Sequence, residues 1–501
     1  MSIGQVARGS RHCNRWRGVS FLRPLLAIAA EPQAPTRPVR PGGQRAPASE
    51  DVPAPSAGTP GGAPTAWIGV AVVTAFAAVI SAVAADARWL AALGHAISAR
   101  GGIPHGVPFA DAPTHGWHNV PVLAELIFGG LDSLGGARGL QVAQVACVSI
   151  ACCLVARDAR RLGAGDRSIV IVLIAVIPAG FAAIVAIRAQ MFSLALFPAL
   201  AVLLRAEARR PSRLIWLVPP LLAVWSNLHG AALTGLAVAG AYLLFARARR
   251  DPLVAGGVLV ASLAALCLTP ALLDTPAYYA SVLDGEAARQ GIGLWAPFSF
   301  SSGPDLATLV CLALGVWPLI RARPRMWELV ALAGLSVLAA RTARGGVWVV
   351  LLAAPLVARG LPWRALRRSP VVPLALIACG VLLVFGIARG PLNTAATPRV
   401  LARALADARG TAVIADSTLA EQIVLGGGRV WVANPIDAFS RSDQRLWIAW
   451  LEGDPAGDAI LTHVPRVAFV SRNGPAARRL AGDPRFRLDA RDARAAVYVR
   501  R

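Results

Sequence analysis

With 501 residues, 56% of them hydrophobic and only 15% charged, the chain is too apolar for an ordinary soluble domain and reads as a polytopic membrane protein. Its net charge of +23 comes from Arg alone, since the sequence contains no Lys. The Arg residues fall mainly in short turns between apolar runs, which is a topology signal and argues against nucleic acid as a partner.

Residues 1–65 are rich in Arg, Pro, Ala and Gly without a sustained apolar period, and read as a disordered cytoplasmic tail. The stretch FLRPLLAIAA is short for a signal peptide and is interrupted by Arg23 and Pro24. A first span is predicted at about 66–85. An external loop over 86–138 follows, with few Arg and several His, Trp and Pro residues. Further spans are predicted at about 139–156, 168–187, 190–204, 214–226, 230–246, 253–270, 305–320, 327–340, 346–358 and 370–388. Basic turns at Arg157–Arg167, Arg205–Arg213, Arg247–Arg250, Arg321–Arg325 and Arg359–Arg368 alternate with Arg-poor ones. Eleven spans then put the N-terminus in the cytoplasm and the C-terminus outside.

From about Arg389 the pattern changes. TAVIAD, GRVWVAN, RVAFVS and AAVYVR are short β-prone runs, separated by helix-like stretches such as Ser440–Leu451. The expected architecture is an α-helical polytopic membrane domain (66–388, about eleven transmembrane helices) followed by a soluble, extracytoplasmic α/β domain (389–501). Gly426–Gly428 precedes a strand-like run and reads as a turn, so no phosphate-binding Gly loop accompanies it.

This topology gathers polar residues at the outer face. Asp86 and Arg88 follow the first span, and His118 and Glu125 lie in the first loop. Arg188 and Gln190 sit between two closely joined spans, Asn227 and His229 follow Trp225, and Arg341 and Arg344 stand between the ninth and tenth spans. Arg341 and Arg344 run against the positive-inside bias. Charged groups near hydrocarbon are costly and mark cavities or pathways, although single ones also serve as interfacial anchors. Together they suit an anionic head group: Arg supplies a planar donor fork for phosphate, and a carboxylate can act as a base.

The seven Cys residues give no disulfide framework: Cys13 is in the tail and the others lie within apolar spans. His115 and His118 have the spacing of a ligand pair, but their Pro- and Gly-rich loop offers no Cys, and no metal site is indicated. A divalent cation remains compatible with the acidic residues. No Ser stands in a nucleophile-elbow context.

IRAQMFSLALF and WLVPPLLAVWSNLHGAALTGLAVAG resemble two segments that recur in bacterial membrane proteins related to GT-C glycosyltransferases. DARWLAALGHAISARGGIPHGVPFADAPTHGW is similar to the first external loop of that group. LTPALLDTPAYYASVL, GIGLWAPFS, LAARTARGGVWVVLLAAPLVA and GRVWVANPIDAF fit it as well, so the resemblance spans about 66–500. It implies a catalytic Asp in the first external loop and a lipid-phosphate sugar donor, mapping the base onto Asp86 and phosphate contact onto Arg188 or Arg341. Three features depart from the pattern: Ala85 and Ala87 flank Asp86 where a second acidic residue is common, Val107-Pro108-Phe109 replaces Asp-Pro-Phe, and Trp89 alone stands for a Trp-rich start.

The reading that follows is a multi-pass glycosyltransferase-like protein of the bacterial cytoplasmic membrane. It would move sugar from a polyprenyl-phosphate carrier to an envelope acceptor, with lipid-linked sugar and membrane lipid as partners. A non-catalytic scaffold that binds envelope partners is the alternative, as is a lipid-linked-sugar flippase. Charges at span ends and the lack of a convincing internal repeat count against the flippase.

Overall fold

The computed structural model describes residues 63–114, 116–363, 371–392, 395–463 and 466–501. The expected tail over 1–65 lies outside these, apart from 63–65, which open the first helix; His115 also lies outside them.

Numbering the helices of eight or more residues, the apolar part contains α1 (Ala63–Ile80), α2 (Ala87–Arg100), α3 (Val122–Arg161), α4 (Asp166–Ala179), α5 (Gln190–Arg209), α6 (Val218–Ser226) and α7 (Ala232–Tyr242). It continues with α8 (Pro252–Leu266), α9 (Thr275–Leu283), α10 (Gly303–Ala322), α11 (Met326–Arg341), α12 (Gly346–Gly360) and α13 (Val371–Arg389). Helix occupies most of each of the eleven apolar stretches, although 66–85 and 168–187 both end in extended backbone. Among the described residues, five helices are long and apolar enough to cross a membrane: α3, α5, α10, α12 (counted from Ala343) and α13.

α12 is buried along most of its length, whereas α10 and α13 turn large apolar side chains outward, including Leu314, Trp317, Val381 and Val384. Water would not tolerate such continuous apolar faces, but lipid does. At one end of the bundle Arg205 is clamped in a dry ion cluster. Its Nε donates to Glu328 Oε1 at 2.8 Å, its Nη1 donates to Asp158, and its Nη2 donates to the Leu352 carbonyl at 2.7 Å. The candidate site lies at the opposite ends of the same helices.

The first external loop is more helical than expected. α3 begins at Val122, inside the predicted loop, and kinks at Gly136 (φ 55°, ψ −141°), so the predicted span at 139–156 is only its second limb. The first limb packs on α2 so closely that a Cβ on Gly94 would lie 2.0 Å from the Glu125 carbonyl oxygen.

The C-terminal part contains α14 (Pro398–Ala408), α15 (Ser417–Leu425), α16 (Arg441–Glu452) and α17 (Pro475–Gly482). Two-residue strands β1 (Ala82–Val83) and β2 (Ala186–Ile187) pair near the bundle, and a four-stranded sheet in the C-terminal part follows the order β3-β4-β6-β5. Its strands are β3 (Val413–Ala415), β4 (Val467–Ser471), β5 (Phe486–Arg491) and β6 (Ala495–Arg500). β3 and β4 are parallel; β6 is antiparallel to both of its neighbours. GRVWVAN forms only isolated bridges, because it is shared between two partners: Val430 bridges both Val413 and Ala110. β5 has charged residues at alternate positions, so its apolar signal was too weak to read.

That shared segment joins the C-terminal part to the first loop. Val430 N donates to Phe109 O, and Asp111 N donates to Val430 O, each at 2.9 Å. One apolar cluster contains Trp89, Leu93 and Val107 together with Val413, Leu419, Ile423 and Phe469. The region beyond 389 is therefore packed on the loop rather than tethered beside it.

Candidate active site

Two short pairings place the central residues. β1 lies parallel to β2, with Ala82 opposite Ala186 and Val83 opposite Ile187. Asp86 and Arg188 leave this ladder on neighbouring strands. Leu392 bridges Ala82 on the other side, its N–H donating to Ser81 O at 2.7 Å.

Asp86 then does something its local sequence does not favour. An Asp immediately before a helix ordinarily caps it through its side chain, a contact worth about 1 kcal/mol. Here Asp86 adopts φ 80°, ψ −25°, in the left-handed region, and its side chain makes no cap bond to α2. That conformation costs an L-residue roughly 1–2 kcal/mol, and it releases the carboxylate toward the site.

The carboxylate meets charge of the opposite sign. Burial raises the Asp86 pKa above its ordinary value, and the positive charges of Arg188 and then Arg344 oppose that rise. Arg188 donates to Gln190 Oε1, which fixes its fork. The Arg344 guanidinium carbon lies 3.7 Å from the centre of the Trp295 ring.

His229 faces the same two Arg residues as a neutral donor. Trp225 Nε1, which can only donate, gives its proton to Ser193 Oγ at 2.7 Å. The Ser193 hydroxyl hydrogen is thereby left for His229 Nδ1, 2.9 Å away, and Ala231 N also donates to Nδ1 at 3.2 Å. With Nδ1 accepting twice, the ring proton belongs on Nε2. Burial, with the charges of Arg188 and Arg344, holds the His229 pKa down at about 3, so the ring stays uncharged.

A second carboxyl reaches the site from the C-terminal part. The Asp86 backbone N–H donates to Glu421 Oε1 at 2.6 Å, and Asn434 Nδ2 donates to Asp86 Oδ1 and to Glu421 Oε1, both at 3.0 Å. Glu421 is fully buried. Burial first, and the Asp86 charge second, push its pKa up to about 8, so the carboxyl holds a proton at neutral pH. Asp437 accepts from Trp117 Nε1 at 3.1 Å, and burial raises its pKa as well. Burial raises the Tyr278 pKa well above normal, and Asp437, Tyr279, Glu125 and Asp86 add to the rise. It stays a neutral hydroxyl.

A carboxylate under the influence of two guanidinium groups at one end of a helical bundle can bind an anion and exchange a proton. Among solved structures the chain is similar to ArnT from Cupriavidus metallidurans bound to undecaprenyl phosphate, with TM-score 0.50 and 12% identity, covering 86% of this chain and 97% of that one. The apo form of ArnT gives TM-score 0.50 and 14% identity, covering 87% and 98%. Arabinofuranosyltransferase AftD from Mycobacteria, in a mutant form, gives TM-score 0.51 and 14% identity over 86% of this chain and 41% of that one. The chain has the fold of the GT-C glycosyltransferases. With its outward apolar faces, this GT-C-like protein resides in a membrane. No family model and no curated protein sequence matches it.

The expected site residues of this GT-C-like chain divide into two groups. Asp86, Arg188, Gln190, His229 and Arg344 come together. His118 is exposed and faces Asp274 at 3.6 Å, a contact between surface loops. Glu125 is buried and accepts from Asn119 Nδ2 at 2.5 Å. Asn227 spends its amide on the Ala223 and Leu268 carbonyls, at 2.8 and 2.6 Å, which ties its turn to the next loop. Arg341 is exposed, and no ion pair among the described residues involves it. Arg88 borders the site, its Nη1 buried without a hydrogen-bond partner and close enough to Glu421 to lower that carboxyl's pKa. Among the described residues no group of three His, Cys, Asp or Glu side chains could hold a metal.

Sequence reading missed Glu421, Asn434, Asp437 and Trp295. Asp111 does not replace the missing acidic neighbour of Asp86, because it pairs with Arg429, whose Nε lies 2.7 Å from Asp111 Oδ1. The second carboxyl beside Asp86 is that of Glu421. Its only sequence signal was a Glu within an apolar helical stretch, STLAEQIVL.

Proposed function

We propose that the chain is an integral membrane glycosyltransferase. It moves a sugar from a polyprenyl-phosphate donor to an acceptor hydroxyl at the outer face of the bacterial cytoplasmic membrane. All eleven apolar helices take part in spanning, the 1–65 tail is cytoplasmic, and the α/β region over 389–501 is extracytoplasmic. The observation that carries the proposal is the Asp86 carboxylate under the joint influence of Arg188 and Arg344.

In the reaction, Asp86 accepts the proton of the acceptor hydroxyl as the acceptor oxygen bonds to the anomeric carbon. The anomeric carbon–phosphate oxygen bond breaks on the opposite side, and its electron pair leaves with the polyprenyl phosphate. The product is inverted. Arg188 and Arg344 hold the phosphate, and the neutral Nε2–H of His229 adds a directed donor. Neither a nucleotide loop nor a metal has a role in this scheme. The outward apolar faces of α10 and α13 suit a donor that stays in the bilayer.

The test is sugar transfer in membranes containing wild type, Asp86→Ala or Arg188→Ala, supplied with mixed polyprenyl-phosphate-linked sugars. Transfer by wild type and its loss in both variants at equal expression is expected. Undiminished transfer by Asp86→Ala would remove the base from the scheme.

A further inference from the structure

We infer that Glu421 and Asn434 are positioning residues that fix Asp86 for reaction, so that the C-terminal part of the chain completes the site. The inference rests on the glycosyl-transfer reading and adds to it a requirement for residues 335 and 348 positions away from the base.

Three observations converge. Asp86 is held in a left-handed conformation without a cap bond, so something other than α2 must restrain it. The restraint is bipartite: Glu421 takes the backbone N–H and Asn434 takes the carboxylate, and Asn434 also bonds Glu421, so the two hold each other. Finally, Glu421 is fully buried, and its Oε2 has no hydrogen-bond partner among the described residues. A buried carboxyl with an orphan oxygen is a poor stabilising device, and an apolar residue would fill that place at less cost. What the carboxyl supplies is the Oε1 acceptor facing Asp86. α15, which carries Glu421, is seated on α2 through Trp89, Leu93, Leu419 and Ile423. That packing fixes the acceptor relative to the base.

The experiment follows hydrogen exchange at the Asp86 amide, and sugar transfer, in the purified full-length chain as wild type, Glu421→Ala, Glu421→Gln and Asn434→Ala. In Glu421→Ala the amide should exchange at least about tenfold faster, and kcat should fall by about 100-fold with the lipid-donor KM nearly unchanged. Glu421→Gln retains an oxygen acceptor and should restore both protection and most of the rate. Asn434→Ala should leave the amide protected while kcat falls by about tenfold, which reads the clamp even where Glu421→Ala does not fold. Unchanged exchange in Glu421→Ala, or exchange in Glu421→Gln as fast as in Glu421→Ala, overturns the inference. The expected exchange pattern with no transfer by wild type from any donor sinks the glycosyl-transfer reading instead and leaves the clamp standing.

Discussion

Arg344 lies with its guanidinium carbon 3.7 Å from the centre of the Trp295 ring, so one of the two cations acting on Asp86 is held by an aromatic face rather than by an acid. An acid partner would cancel the charge that a phosphate needs, whereas a ring leaves it available. A cation–π contact contributes about 0.5–2 kcal/mol, so Trp295→Ala is expected to raise the lipid-donor KM by about 2- to 30-fold with kcat largely kept. A fall in kcat at unchanged KM would mean that Trp295 acts on the chemistry and not on Arg344.

Asp86→Asn keeps the size of the side chain and its bond from Asn434 but cannot accept a proton. General-base loss costs about 10²- to 10⁴-fold, so kcat should drop within that range while donor KM moves little. In wild type the base must be ionised, so the rate rises with pH through the Asp86 pKa, which burial has raised. Arg188 lowers that pKa, and Arg188→Gln should therefore move the acid limb of kcat to higher pH. An acid limb that stays in place would detach Arg188 from the base.

Much of this was legible before any coordinates. Most of each apolar stretch is helical because apolar length is a local property. Asp86, Arg188, Arg344 and His229 could be grouped because topology alone puts span ends on one face. Arg341 was grouped with them on the same ground, yet Arg344 acts on Asp86 and stacks on Trp295, whereas no ion pair among the described residues involves Arg341. Residue spacing at the end of a helix fixes the face of the membrane but not the direction of the side chain. Glu421 and Asn434 were illegible for another reason: their link to Asp86 depends on GRVWVAN reaching the first loop, a tertiary pairing that no sequence period encodes. His229 could be named, but not its neutral form, which required Trp225, Ser193 and Ala231 together.

Glu421 also gives stability a measurable pH dependence. Its folded pKa of about 8 lies above the ordinary Glu value of 4.5, so the folded state binds the proton more tightly than the unfolded one. Its contribution is complete below about 4.5 and is lost as pH rises through about 8. Burial raises Asp416 and Asp437 too, and their contributions have the same sign. In detergent, Tm should therefore fall between pH 5 and pH 8.5, both values bracketing about the window given by linkage. Glu421→Gln should flatten that slope, and an unaltered slope would assign the effect to Glu125, which burial also raises to about 8, and to the Asp residues.

The distance from α2 to α3 sets where Asp86 begins, and Gly94 sets that distance. A Cβ there would stand 2.0 Å from the Glu125 carbonyl oxygen and 2.7 Å from its carbon. Both are backbone atoms of a helix, so neither can swing aside, and Gly94→Ala must push the two helices apart. Overpacking of this kind costs about 1–3 kcal/mol. The displacement also reaches Asp86, one residue before α2, so kcat should fall with Tm. Gly102→Ala is the control, because a Cβ at Gly102 meets nothing within 4 Å and should leave both unchanged. Equal Tm values for the two variants would show that α2 and α3 can separate freely, and the close approach would then have no part in holding the base.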